Sequence, residues 1–232
     1  MSGTSSKPFS AQPSNGETVK DALISALTSA EIRTYPYRHV LFANTLPKAT
    51  MDAIKVLPID PPNEEDGSGR RETRNSQRIF MSPETQKQFA VFDEVSSAFQ
   101  STPVIRELES LAQRSFSGGY LRVEYCQDID GFWLEPHLDI SAKWVTMLVY
   151  LSDEPEGESW GTDIYTGPGQ DTHLGAPPCH EGNGLLFVAA KDTWHGFHPK
   201  KITGVRRSLI INVVSPDWRA RHELAYPDHP LA

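Results

Sequence analysis

Cysteine is nearly absent from this chain. Cys126 and Cys179 are the only two and no CxxC pair occurs, so neither a disulfide framework nor a structural zinc site is expected. Such thiol usage fits a reducing compartment, and a cytoplasmic location is expected. Positive charge is also in deficit. Lys and Arg number 22 against 30 Asp and Glu, and the resulting net charge of -8 opposes the counterion release that drives non-specific nucleic-acid binding. No nucleic-acid partner is therefore expected. The one basic concentration, "RRETRNSQR" at 70–78, reads as a solvated loop. No run of 18 apolar residues occurs, so no membrane-spanning helix is expected, and the first residues lack the charged start and apolar stretch of a signal peptide. An internal repeat and a glycine-rich phosphate loop are missing as well.

What is present reads as one domain, because a single core can absorb 232 residues. Residues 1–17, rich in Ser, Pro and Gly, are expected to form a flexible tail, and 18–232 a single folded unit. Within it, 18–117 reads as helical support. "TVKDALISALTSA" spaces Val19, Leu23, Ile24 and Leu27 for a helix behind a Thr18 cap, "RHVLFANTL" reads as a strand, and "SPETQKQFAVFDEVSSAFQ" and "TPVIRELESLAQRSF" read as two amphipathic helices. From Gly118 the pattern changes to short apolar runs, "YLRVEYC", "KWVTMLVYL", "TDIYTG", "GLLFVAA" and "RRSLIINVV", separated by turns. The fold class expected is α+β, mainly β: a strand-built core over 118–215 buttressed by the N-terminal helices, with a C-terminal extension at 216–232.

The chemistry concentrates in "LEPHLDISAKWVTMLVYLSD". In an extended segment residues i and i+2 project from one face, so His137 and Asp139 can aim an imidazole and a carboxylate at one point. A second imidazole is available from His195 in "TWHGFHP", next to Gly196, which allows close backbone approach. Two imidazoles and a carboxylate form the facial triad of non-haem Fe(II), with positions left open. His198 is a rival for the distal ligand. Arg206 and Ser208 share one strand face and together make a directional carboxylate clamp.

The order His-x-Asp, then "WHG", then "GVRRS" in a terminal strand resembles the Fe(II)- and 2-oxoglutarate-dependent dioxygenases of the prolyl-hydroxylase-like type, over roughly Gly118 to Ser215. The resemblance implies a double-stranded β-helix, or jelly roll, as the core. It implies Fe(II) held by His137, Asp139 and His195, and 2-oxoglutarate held through its distal carboxylate by Arg206 and Ser208, with O2 as co-reactant and ascorbate as support. Tyr125 is similar to the tyrosine that touches the cosubstrate ahead of the metal motif, while Arg122 or Trp133 would line the substrate pocket. Gly161 in "WGTDIY" stands for the turn glycine. The activity implied is hydroxylation of an unactivated C–H with release of succinate and CO2. Asp139 favours that outcome, since halogenating relatives carry a small residue there.

A small metabolite or biosynthetic intermediate is the expected substrate. If it is anionic, Arg70, Arg71, Arg74 and Arg78 would give its entrance a positive rim. A prolyl or other side chain of a protein, and a jelly roll that binds metal without turnover, are the alternatives. Whether residues 63–78 form a lid, and the oligomeric state, are left open by the sequence. His173 and His180, in a Gly/Pro-rich loop, are expected at the surface.

Overall fold

A computed structural model of the protein describes residues 17–63, 67–70 and 78–232. Most of the expected tail, Arg71 and Arg74 lie outside the described residues, as does most of the 63–78 segment. The first helix, α1 (Val19–Thr28), begins where the capping signal places it: the Thr18 hydroxyl accepts the Asp21 N–H, and Val19, Leu23 and Leu27 are buried. The two later helices expected from periodicity are in fact three. After α2 (Lys48–Lys55), which the sequence reading did not anticipate, come α3 (Pro83–Gln88), α4 (Ala90–Gln100) and α5 (Thr102–Ala112). The break between α3 and α4 falls at Phe89, whose φ of -127° and ψ of 102° are extended. Its ring packs edge-on against Phe92 at 5.4 Å, so apolar burial competes with helix continuity there.

The support region also supplies strands. β1 (Glu31–Arg33), β2 (His39–Phe42) and β3 (Ile79–Phe80) join β4 (Tyr120–Asp128), β6 (Lys143–Tyr150), β9 (Gly184–Val188) and β11 (Arg206–Val214) in a seven-stranded sheet of order β1-β2-β9-β6-β11-β4-β3. A second, four-stranded sheet runs β5-β10-β7-β8, with β5 (Leu134–His137), β7 (Asp163–Tyr165), β8 (His173–Gly175) and β10 (His195–Phe197). Every pairing is antiparallel. The protein is thus mainly β, with helices gathered on one face of the larger sheet.

Alternation along the long strands divides the core in two. Leu209, Ile211 and Val213 of β11, Val145, Met147 and Val149 of β6, and Leu121, Val123 and Tyr125 of β4 pack with the helices. The opposite faces turn into the space between the sheets, where Leu148, Tyr150, Phe187 and Ile210 meet Ile164 and Phe197 of the smaller sheet. On β4 that inner face reads Arg122, Glu124, Cys126, Asp128. The last residues fold back over this strand: Arg122 bridges to Leu224, Glu223 Oε2 accepts from Arg122 Nε at 2.6 Å, and Leu231 N–H donates to Gly119 O at 2.8 Å.

Candidate active site

β5 and β10 are paired so that His137 and His195 stand directly opposite, which brings their ring centroids within 4.3 Å. Gly196 permits this approach, because a Cβ there would lie 2.6 Å from the Leu134 carbonyl. Its role is strand proximity rather than a turn. Asp139, two residues beyond the end of β5, completes the group, and the ligand atoms of His137, Asp139 and His195 lie within 4.8 Å of one another. His195 Nε2 is 3.9 Å from Asp139 Oδ2.

The protonation of this group follows from its partners. Nδ1 of His137 lies 2.9 Å from the Glu135 carbonyl and Nδ1 of His195 lies 2.9 Å from the Thr193 carbonyl. A carbonyl can only accept, so both Nδ1 atoms carry a proton, and in a neutral imidazole this leaves Nε2 as the metal-donor nitrogen. Burial, and after it the neighbouring His137, push His195 down to about 3, so this imidazole is neutral at ordinary pH. Burial alone would raise the Asp139 carboxyl, but Lys143, His195 and Thr146 outweigh it and hold the group well below the usual range. Lys143 Nζ donates to Oδ1 at 2.5 Å and Thr146 Oγ1 to Oδ2 at 2.5 Å. Two imidazole nitrogens and one fixed carboxylate suit a divalent transition metal.

Behind Asp139 runs a buried chain of hydrogen bonds. Thr146 Oγ1 accepts from Asn212 Nδ2 at 2.8 Å, and Asn212 Oδ1 accepts from Arg122 NH1 at 2.9 Å. Arg122 then donates to Glu124 and Glu223, and Arg78 grips Glu124 from the other side at 2.9 and 3.0 Å. Arg122, expected to line the substrate pocket, is fully buried within this network and does not line the cavity. The cavity that opens beside the three ligands has a volume of about 80 Å³. Its wall includes Arg78, Glu124, Gln127, Lys143 and Phe132, and it reaches Arg206 and Ser208.

At that far end Arg206 is buried, its Nε donating to Trp160 O at 2.7 Å and its NH1 to Asp128. Phe197 and Phe132 lie against its guanidinium, with ring centroids 4.6 and 5.9 Å away. Ser208 Oγ is buried without a hydrogen-bond partner, an orphan that an incoming carboxylate oxygen would satisfy. Tyr125 does not reach this end. Its ring packs with α4 against Phe92 at 6.3 Å, on the helix side of β4, because residues 122, 124, 126 and 128 take the inward face. The tyrosine that stands there is Tyr150, the register partner of Ser208, whose hydroxyl accepts the Thr162 N–H at 3.0 Å. Alternation along β6 from Thr146 already put Tyr150 on the inward face; which tyrosine met Ser208 depended on the pairing.

The remaining candidates fall elsewhere. Trp133 lies outside the cavity wall: Nε1 donates to Gly67 O at 2.8 Å, and its ring occupies the space a side chain at Gly69 would need. His198 stacks on His173 at 4.5 Å and pairs through Nδ1 with Gln170, while His173 Nε2 meets Asp163 at 2.6 Å. Neither belongs to the ligand group. His180 pairs with Glu158 at the surface. A Cβ at Gly161 would lie 2.4 Å from the Pro177 carbonyl, so that glycine serves close packing. Lys200 and Lys201 are tied to Asp163 and Asp130. Among the described residues, no helix is long and apolar enough to cross a membrane.

Comparison with solved structures returns chains of similar fold, prolyl hydroxylases among them. No family model and no curated protein matches the chain. A Pseudomonas putida prolyl-4-hydroxylase is 15% identical, with 87% of this chain and 94% of that one covered and a TM-score of 0.51. A Trichoplax adhaerens prolyl hydroxylase, solved with a peptide fragment of the hypoxia inducible factor oxygen degradation domain, is 12% identical over 87% and 91% of the two chains, at 0.54. HygX from Streptomyces hygroscopicus, solved with nickel and 2-oxoglutarate, is 12% identical over 77% and 82%, at 0.50. At such identities the likeness is one of fold.

Proposed function

We propose that the protein is an Fe(II)- and 2-oxoglutarate-dependent oxygenase built on a double-stranded β-helix, hydroxylating a C–H bond of a small polar metabolite. The observation that carries this reading is one cavity with two chemically matched ends: two imidazoles and a carboxylate at one, and a buried arginine beside an unsatisfied serine hydroxyl at the other. His137, Asp139 and His195 would hold the iron, and Arg206 and Ser208 the distal carboxylate of the cosubstrate. When bound, iron, 2-oxoglutarate and O2 together supply the oxidant, with succinate and CO2 released and ascorbate supporting turnover.

The chain's own residues do the rest. Glu135 and Thr193 carbonyls fix the imidazole tautomers, and Lys143 and Thr146 hold Asp139 in one orientation. Phe132 and Phe197, stacked with ring centroids 5.1 Å apart, help exclude water near the arginine. Arg78, Glu124 and Lys143 put both signs of charge on the cavity wall, which suits a small polar or charged molecule better than an apolar prolyl ring.

The test is succinate formation from 2-oxoglutarate with Fe(II), ascorbate and O2, in the presence of either a fractionated metabolite pool or proline-containing peptides. Succinate that rises with a metabolite fraction, and disappears in Asp139→Ala, is the expected result. Stimulation by the peptides instead makes the protein a side-chain hydroxylase. Full iron occupancy with no succinate in any arm makes it a metal-binding module.

A further inference from the structure

The arginine assigned to the cosubstrate already holds a carboxylate of the protein. Asp128 stands opposite Arg206 in the β4–β11 register, and Arg206 NH1 donates to Asp128 Oδ2. Both residues are buried, at 4% and 5% exposure, so the pair is little screened by solvent. With Nε committed to the Trp160 carbonyl, the NH2 arm and the Ser208 hydroxyl are the donors left for a ligand. The positive charge of the clamp is therefore balanced before any ligand enters.

We propose that Asp128 sets the cosubstrate specificity of this site: by neutralising Arg206 and occupying one of its arms, it removes most of the preference for a 2-oxo acid bearing a second carboxylate. The inference rests on the oxygenase reading. A carboxylate entering the cavity loses part of its hydration, and an unpaired arginine would offset that loss through charge-assisted hydrogen bonds. The Arg206–Asp128 pair itself carries no net charge, and the Asp128 carboxylate repels the entering one. The remaining NH2 and hydroxyl donors serve a neutral amide or carbonyl oxygen about as well as a carboxylate oxygen. The 2-oxo acid end, bound at the metal, is the same for every such ligand.

The experiment is an anaerobic titration of the Fe(II)-loaded protein with 2-oxoglutarate, its 5-amide 2-oxoglutaramate, and 2-oxopentanoate, following the visible charge-transfer band of a chelated 2-oxo acid. In the wild type the dissociation constants of 2-oxoglutarate and the 5-amide are expected to lie within about tenfold of each other. In Asp128→Asn, which keeps the shape and an acceptor oxygen but removes the charge, the ratio is expected to widen to on the order of 100-fold through tighter binding of 2-oxoglutarate. A wild type that already separates the two by on the order of 100-fold, or a variant that leaves the ratio unchanged, overturns the proposal. The wild-type ratio decides by itself if the variant fails to fold. Loss of the band with all three acids in both proteins, at full iron occupancy, overturns the oxygenase reading instead.

Discussion

Replacing Thr146 by Val removes a hydroxyl and leaves a methyl of similar size, so the perturbation is chemical more than steric. Two hydrogen bonds disappear with it. The donation to Asp139 Oδ2 at 2.5 Å is charge-assisted, and the bond accepted from Asn212 Nδ2 at 2.8 Å is that amide's shorter contact, leaving the Val145 carbonyl at 3.4 Å. All three residues are shielded: Thr146 is 4% exposed, Asn212 fully buried, and the Asp139 side chain 4% exposed. A hydrogen bond to a charged group contributes about 1.5–3 kcal/mol, and stranding a buried donor adds a further cost, so a loss of about 3 kcal/mol is expected in metal-free protein. For a chain of this length that corresponds to a fall in Tm of roughly 6–12 °C. Asp139 also loses the group that orients it, and such a loss costs about 10–100-fold in metal affinity. Thermal unfolding in EDTA reads the first effect, and anaerobic calorimetry with Co(II) or Ni(II) the second. Thr146→Ser, which keeps the hydroxyl, should recover most of both. Metal affinity within about threefold of wild type in Thr146→Val, despite the lower Tm, would refute the claim that this hydroxyl positions the carboxylate.

Three further outcomes follow from the geometry. His195→Ala should abolish stoichiometric metal binding while His198→Ala leaves it intact, as read by metal content after dialysis, because His198 stacks on His173 away from the ligand group. Tyr150→Phe should raise the 2-oxoglutarate KM by about 5–10-fold, the effect of losing one hydrogen bond beside the clamp, whereas Tyr125→Phe should leave it unchanged; a KM that responds to Tyr125 alone would reverse the assignment. A thiol reagent at pH 8 should titrate one cysteine in the folded protein and two after denaturation. Cys179 is buried and its thiol is pushed up to about 12 by that burial, whereas Cys126 borders the cavity and should be protected when 2-oxoglutarate binds.

Much of the site was legible because its signals are local. His137 and Asp139 share a face by extended-chain geometry, and Arg206 and Ser208 share one by the same period. The first helix and its Thr18 cap followed from spacing and one side-chain bond. Other features depend on competition between distant parts of the chain. The break at Phe89 cannot be seen in a run that is helical by composition on both sides. The strands β1, β2 and β3 are short, and their membership in the larger sheet is set by partners far along the sequence, such as β9 for β2 and β4 for β3. That Tyr150 and not Tyr125 stands beside Ser208 is a feature of the same kind, since it depends on the pairing of β6 with β11.

The segment "YLRVEYCQD" shows where the division lies. Alternation by itself determines that Leu121, Val123 and Tyr125 share an apolar face and that Arg122, Glu124, Cys126 and Asp128 share a polar one. Read alone, a strand with one polar face has that face in water. The tertiary structure decides otherwise: a second sheet closes over it, Glu124 and Asp128 enter a cavity wall, Arg122 is buried behind them, and these charges pair with Arg78, Asn212, Glu223 and Arg206. Side-chain period is a property of the backbone and is written in the sequence. Which face meets solvent depends on what packs against it, and only the folded chain supplies that.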